Sequence, residues 1–215
     1  MNTRTDLANA ALAYLGEMRI SNIEDPDSQP ARTCKQFLAD TIDEILRTHP
    51  WSCSIRLATL TEVATAPDWG FKRAFQLPSD MMRLLQINGQ EPGISQQYFD
   101  IQGKLLLTEW EEAKIRFVQR IDVPEFDPLL ARAIALQLAV KICIPLSLNM
   151  QNLQLCSQLF DKAIGEAKRA NAIEKTTNAN HQWPRIIGSS PLIACRGRGN
   201  NLLRYGYRQT PIGPF

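Results

Sequence analysis

Adjacent acidic side chains are the first places in this chain where chemistry could reside. Glu24/Asp25, Asp43/Glu44 and Glu111/Glu112 are neighbouring carboxylates. A carboxylate pair flanking a glycosidic bond can serve as general acid and as base or nucleophile. Such work needs one carboxyl kept protonated by an apolar setting, whereas adjacent acids more commonly form the solvated face of a helix or hairpin. His49 and His181 lie far apart in sequence, and neither has a Cys or His neighbour at metal-ligand spacing. The five cysteines (Cys34, Cys53, Cys143, Cys156 and Cys195) are odd in number and form no CxxC pair. They read as small buried hydrophobes in a reducing compartment. The phosphate-binding, dinucleotide-binding, nucleophile-elbow and zincin motifs are all missing, and Gly197-x-Gly199 lacks a strand-to-helix context. The expectation is a protein without enzymatic activity, with no catalytic residue, no metal site and no cofactor. His49 is expected to cap a helix C-terminus, where a cation or donor is favourable.

Charge distribution says more than net charge. From Lys175 to the C-terminus there are six cations and no acid, whereas residues 1–174 hold 18 cations against 22 acids. The tail also holds five of the eleven glycines and four of the thirteen prolines. It has too little apolar surface to order alone, but its interleaved aromatics and arginines suit a segment that orders against a partner. Aromatic and arginine anchors carry most interface energy. The expected contacts are Trp183, Arg185, Ile186, Leu192, Arg196, Arg198, Arg204, Tyr205, Tyr207 and Arg208. Nucleic acid is an alternative partner for that tail. About one charge per seven residues is thin for a phosphate tracker, since each neutralised phosphate needs its own cation, and protein docking is the favoured reading.

Periodicity predicts the helices and strands that carry these groups. Ala31, Cys34, Leu38, Ile42 and Ile45 recur on one face of a helix that starts near Pro30. It should stop near Thr48, because the residue before Pro50 is pushed out of the α region. Asp40, Asp43 and Glu44 fall on its other side. An earlier helix spans Thr3–Glu17, with a capping-box start at Thr3 and Asp6 and a stripe of Leu7, Ala11, Tyr14 or Leu15, and Met18; Gly16 falls one residue early for a C-cap. Between Ser52 and Pro124 the period shortens. Strands are expected at 55–57, 71–77, 84–87, 98–101, 105–107 and 115–121, with a tight hairpin at Ile101–Leu105. In the last strand Ile115, Phe117 and Ile121 should share one face, and Arg116 and Arg120 the other. Asp127-Pro128 opens an apolar third helix that Pro145 ends or kinks. Ser147 or Asn149 opens a fourth, with a stripe of Leu153, Cys156, Leu159 or Phe160, Ala163, Ala167 and Ala170, fading near Glu174. The expected fold is α+β: a four-helix bundle (1–51 and 125–174) with an inserted small antiparallel β domain (52–124) and an extended C-terminal arm (175–215). Trp51 and Trp69 are expected in core or hinge packing. No secretory leader and no run of apolar residues sufficient to span a membrane is expected, so the chain is read as soluble and made in the cytoplasm.

These pieces, in order, resemble the tail tubular protein A family, the head-to-tail adaptors or gatekeeper rings of tailed bacteriophages. The matching residues are Leu7–Leu12 with Leu15-Gly-Glu and Ile20, then Ala31 to Leu46-Arg-Thr-His-Pro-Trp51. Phe71-Lys-Arg-Ala-Phe-Gln-Leu-Pro-Ser-Asp80, Phe126-Asp-Pro-Leu-Leu-Ala-Arg-Ala-Ile-Ala-Leu-Gln-Leu-Ala139 and Ser190–Arg196 complete the set. The tail past Gly199 matches no part of the pattern. The resemblance implies a non-enzymatic virion protein at the head–tail interface, made in the host bacterial cytoplasm. Copies would form a ring, commonly dodecameric, beneath the portal protein, passing genomic DNA through its channel. The helical layer and arm would meet the portal and neighbouring copies, and the β insert would face the distal tail, nozzle or next adaptor. No membrane is involved. A virion-associated peptidoglycan hydrolase and a DNA-binding protein acting through its basic tail are the alternatives.

Overall fold

The computed structural model describes residues 3–64, 70–92, 98–147 and 149–180. These build an α+β fold of four helices and two small antiparallel sheets.

Helix α1, Arg4–Leu15, opens on the expected capping box: Asp6 N–H donates to Thr3 Oγ1 (3.0 Å), and Thr3 N–H donates to Asp6 Oδ2 (3.2 Å). Each bond satisfies a donor that the first helical turn leaves without a partner. The helix is shorter than the sequence suggests. Gly16 itself is the C-cap, at φ 76°, and turns the chain away there. The buried stripe is therefore Leu7, Ala8, Ala11, Leu12 and Leu15, while Tyr14 and Met18 face solvent. Asn9 is buried and grips the following loop through both amide atoms, accepting from Ile20 N–H (2.8 Å) and donating to Ile20 O (3.0 Å). That grip drops Ile20 and Ile23 into the core.

Helix α2, Gln29–Thr48, follows the reading closely. Ser28 is the N-cap, Pro30 lies in the first turn, and Ala31, Cys34, Leu38, Ile42, Ile45 and Leu46 are buried. It ends at Thr48 because His49, ahead of Pro50, is extended (φ −144°, ψ 142°). A single 3-10 turn, Ser52–Ser54, leads into the sheets.

The β region contains two sheets, where one was expected. Strands β1 (Ile55–Thr59), β4 (Met81–Ile87) and β7 (Lys114–Gln119) form one, in the order β1-β7-β4. Strands β2 (Thr61–Glu62), β3 (Arg73–Gln76), β5 (Phe99–Gln102) and β6 (Leu105–Thr108) form the other, in the order β2-β3-β6-β5. The chain changes sheet at Leu60, between β1 and β2, and β2 is too short to carry a periodicity signal. The β5–β6 hairpin turns through Gly103 at φ 61°, a conformation that suits glycine. Leu60, Phe75, Ile87, Phe99, Leu106, Ile115 and Phe117 join the two sheets in one apolar cluster. Ile121 does not join Ile115 and Phe117: β7 ends at Gln119, and Ile121 packs in the helical core instead.

Helix α3, Pro128–Ser147, starts at Asp127, whose Oδ2 accepts from Leu129 N–H (2.9 Å). Pro145 lies within its last turn and does not end it. Most of its apolar residues are buried (Leu130, Ile134, Leu136, Leu138 and Ile142 among them), because α1, α2 and the following helix all pack on it, whereas Ile144 near its end is exposed. By length and mean hydropathy (1.8 over 18 residues) α3 could cross a membrane, contrary to the expectation that no such run occurs. The central helix of a helical core meets the same criterion, because it too is apolar all round. Helix α4, Met150–Asn180, is capped by Asn149, whose Oδ1 accepts from Gln151 N–H (3.0 Å) and Asn152 N–H (3.3 Å). It runs six residues beyond Glu174, so residues 175–180 are helical rather than extended.

Trp51, Ile121 and Val123, which flank the β region in sequence, all enter the helical core. Both chain crossings between layers are thus anchored in the same place.

Candidate functional site

Five of the six neighbouring carboxylates are paired with cations, and the sixth, Asp25, accepts from Asp27 N–H (3.0 Å). Asp43 Oδ1 lies 2.8 Å from Arg120 Nε, and Glu44 accepts from Lys141 Nζ (2.7 Å). Glu24 meets Lys35, Glu112 meets Lys114 (2.8 Å), and Glu111 is 3.8 Å from Arg73. The cleft of about 510 Å³ between α2 and the 120–122 turn is charged but internally neutralised, since Arg4 forks onto Asp122 (2.6–3.1 Å) at its rim. The Arg4 hydrogen bonds hold Asp122 below the usual carboxylate range, and Lys114 does the same to Glu112. A general acid needs a shift in the opposite direction. Among the described residues, no group of three or more His, Cys, Asp and Glu is placed to hold a metal ion.

The most connected polar site lies where α2 hands over to the sheets. Asn171 of α4 is 7% exposed and reaches three residues of the crossing, His49, Pro50 and Ser52. Its Oδ1 accepts from Ser52 N–H (2.8 Å) and Ser52 Oγ (2.7 Å). Its Nδ2 faces His49 Nε2 (2.8 Å) and Pro50 O (3.3 Å). One turn on, Lys175 Nζ also donates to Pro50 O. Trp51, 2% exposed, donates from Nε1 to Ile45 O (3.0 Å) and receives the His49 ring edge-on, with centroids 4.8 Å apart.

This geometry fixes the state of His49. Ser52 N–H can only donate, so the oxygen of Asn171 must face it and the amide nitrogen must face the imidazole. His49 Nε2 is then an acceptor, and its ring proton sits on Nδ1. Burial lowers the His49 pKa, and Lys175, Lys168 and Arg83 lower it further. His49 occupies the C-cap as expected, but as a neutral acceptor rather than a cation. A histidine whose folded pKa is depressed binds fewer protons folded than unfolded, so stability rises with pH through the unfolded value. Its contribution is complete above about pH 6.5 and declines below that. Thermal melts from about pH 7.5 down to about pH 5.5 should show this decline, and His49→Gln should flatten it. An unchanged pH slope in that variant would refute the assignment.

Of the ten residues assigned to partner contacts (Trp183, Arg185, Ile186, Leu192, Arg196, Arg198, Arg204, Tyr205, Tyr207 and Arg208), all lie outside the described residues, as do His181, Cys195 and Trp69. Trp51 takes its expected core position, and Cys34, Cys143 and Cys156 are buried. Burial pushes the Cys34 thiol up to about 11, a setting for an inert thiol. Sequence reasoning missed Asn171 and Lys175. The available signal was a polar residue four positions after Ala167, continuing the buried stripe of Cys156, Ala163 and Ala167. Ala170, assigned to that stripe, lies one position aside of it and is only half-buried.

No protein-family model matches the chain, and no characterised protein matches it in sequence.

Proposed function

We propose that this chain is a structural head-to-tail adaptor of a tailed bacteriophage virion, not an enzyme. Copies form a ring, dodecameric by family resemblance, that docks on the portal protein and extends the DNA channel. In this reading the four helices act as one bundle facing the portal. The β region faces the distal tail or next adaptor, and residues 181–215 reach the portal or a neighbouring copy through Trp183, Arg196, Tyr205 and their companions. The protein is made in the host cytoplasm, resides in the virion, and involves no membrane.

The observation that carries the reading is the tie at Pro50. Asn171 and Lys175 bind α4 to the crossing between helices and sheets. A ring adaptor must keep its two faces in register, and part-buried hydrogen bonds converging on the buried Asn171 contribute more to holding the junction than exposed ion pairs do. The ordered family motifs support the same reading. A basic segment joined to an acidic-leaning body also suits head-to-tail contacts, which close into a ring when the rotation allows.

The test is co-purification with the portal protein of the same phage, comparing the full chain with a 1–180 truncation by particle mass and end-on images. A collar of adaptor on the portal ring with the full chain, lost on truncation, is the expected result. Failure of the full chain to bind would overturn the proposal.

A further inference from the structure

Five cations converge around the Pro50 crossing from four different elements. Arg83 of β4, Arg116 of β7 and Lys175 of α4 line a cleft of about 540 Å³ with Pro50, Ile55 and Leu84. Arg47 of α2 joins them, donating to Met82 O (2.9 Å) beside Arg83. Lys168 lies near enough to act on His49 together with Arg83 and Lys175. None of these five has an ion pair among the described residues, a state they share with Arg19, Arg32, Lys104, Lys162 and Arg169, but these five lie together. Burial lowers the Lys175 pKa, and the nearby Arg116 lowers it further. One carboxylate, Glu91, lines the same cleft.

Unneutralised cations held together cost folding energy through self-repulsion, and an anionic partner removes that cost. We infer that this face binds the phosphodiester backbone of nucleic acid, without regard to base sequence. A single acidic side chain would engage one or two of the cations. Five spread over α2, β4, β7 and α4 match a partner with a charge about every 1.7 Å of duplex axis. Arginine is prominent in the set, and its planar fork suits phosphate oxygens. The chain after Asn180 adds five arginines and no acid, so the same sign of charge continues. The inference stands apart from the adaptor proposal and does not require it.

The test is fluorescence anisotropy of a labelled mixed-sequence DNA duplex with the full chain over a salt series. The comparison is a triple variant, Arg83→Ala, Arg116→Ala and Lys168→Ala. These three side chains make none of the hydrogen bonds at the crossing, and a thermal melt checks that the variant folds. Wild-type affinity should fall linearly with salt on logarithmic axes, and the variant slope should be shallower by about 2.7, for three lost phosphate contacts. An unchanged slope would mean that these three side chains meet no phosphate and would overturn the inference. So would the absence of duplex binding at low salt. If a polyglutamate probe binds in its place, the face belongs to an acidic protein.

Discussion

Trp51→Ala is expected to lower stability by about 3–5 kcal/mol, read as a reduced denaturant midpoint at unchanged slope. Trp51 sits at the end of α2, at the first crossing into the β region, and is 2% exposed within the helical core. Its loss would leave a cavity bounded by a helix end and a turn, neither of which can collapse freely. The hydrogen bond is the smaller part of the effect. Ile45 O accepts from Thr48 Oγ1 (2.8 Å) as well as from Trp51 Nε1, so removing the indole N–H does not orphan that carbonyl. Trp51→Phe should therefore cost about 1–2 kcal/mol, well below the alanine change. Equal losses in the two variants would mean that the hydrogen bond, not the packing, holds the crossing.

The second large effect is at Asn171. Asn171→Leu keeps the branched outline of the side chain, adds some volume and removes both amide atoms. Ser52 N–H, Ser52 Oγ and His49 Nε2 lose their partner, whereas Pro50 O keeps Lys175. Ser52 is exposed and His49 half-buried, so water replaces part of what is lost, and the change is worth about 1–3 kcal/mol. Asn171→Asp separates the roles of the two amide atoms. A carboxylate still accepts from Ser52, but it cannot donate to His49 or Pro50. Beside a carboxylate the imidazolium becomes the favoured form, so the His49 pKa rises. A raised folded pKa reverses the linkage: its stabilisation is present below the unfolded value of about 6.5 and is lost as pH rises through the folded value. The pH profile of the aspartate variant should therefore slope opposite to that of the wild type near His49's range. A wild-type profile in that variant would refute the proposed tautomer.

Four helix boundaries were legible because their causes are local, whereas α1 ends earlier and α4 later than the sequence suggests. The capping box at Thr3 and Asp6, the Pro30 start, the Thr48 stop before Pro50 and the Asp127-Pro128 start depend on residues within one turn of each other. The apolar stripe of α2 and the Gly103 hairpin could be read for the same reason. Errors appeared where the deciding partner is distant in sequence. Two sheets replaced one because Leu60 redirects the chain between them, and nothing in a two-residue strand announces that. Ile121 alternates correctly with Ile115 and Phe117, yet it belongs to the helical core because β7 stops at Gln119.

The candidate site divides along the same line. Residue types and spacing were enough to show that the sequence offers no shaped catalytic motif and that its positive charge collects toward the C-terminus. The tie at Pro50 needed the fold. Asn171 and Lys175 lie about 120 residues from the crossing they hold, and only the packing of α4 brings them to it. The same holds for the unneutralised cations. Arg116 and Arg120 were placed on one strand face with equal standing, but Arg120 finds Asp43 across the layer boundary, whereas Arg116 finds Arg83 and Lys175. Local sequence determines which side chains are available and which element carries them. Whether a charge is met by an opposite or a like one is decided by which elements pack together, and that depends on contacts between residues far apart in the chain.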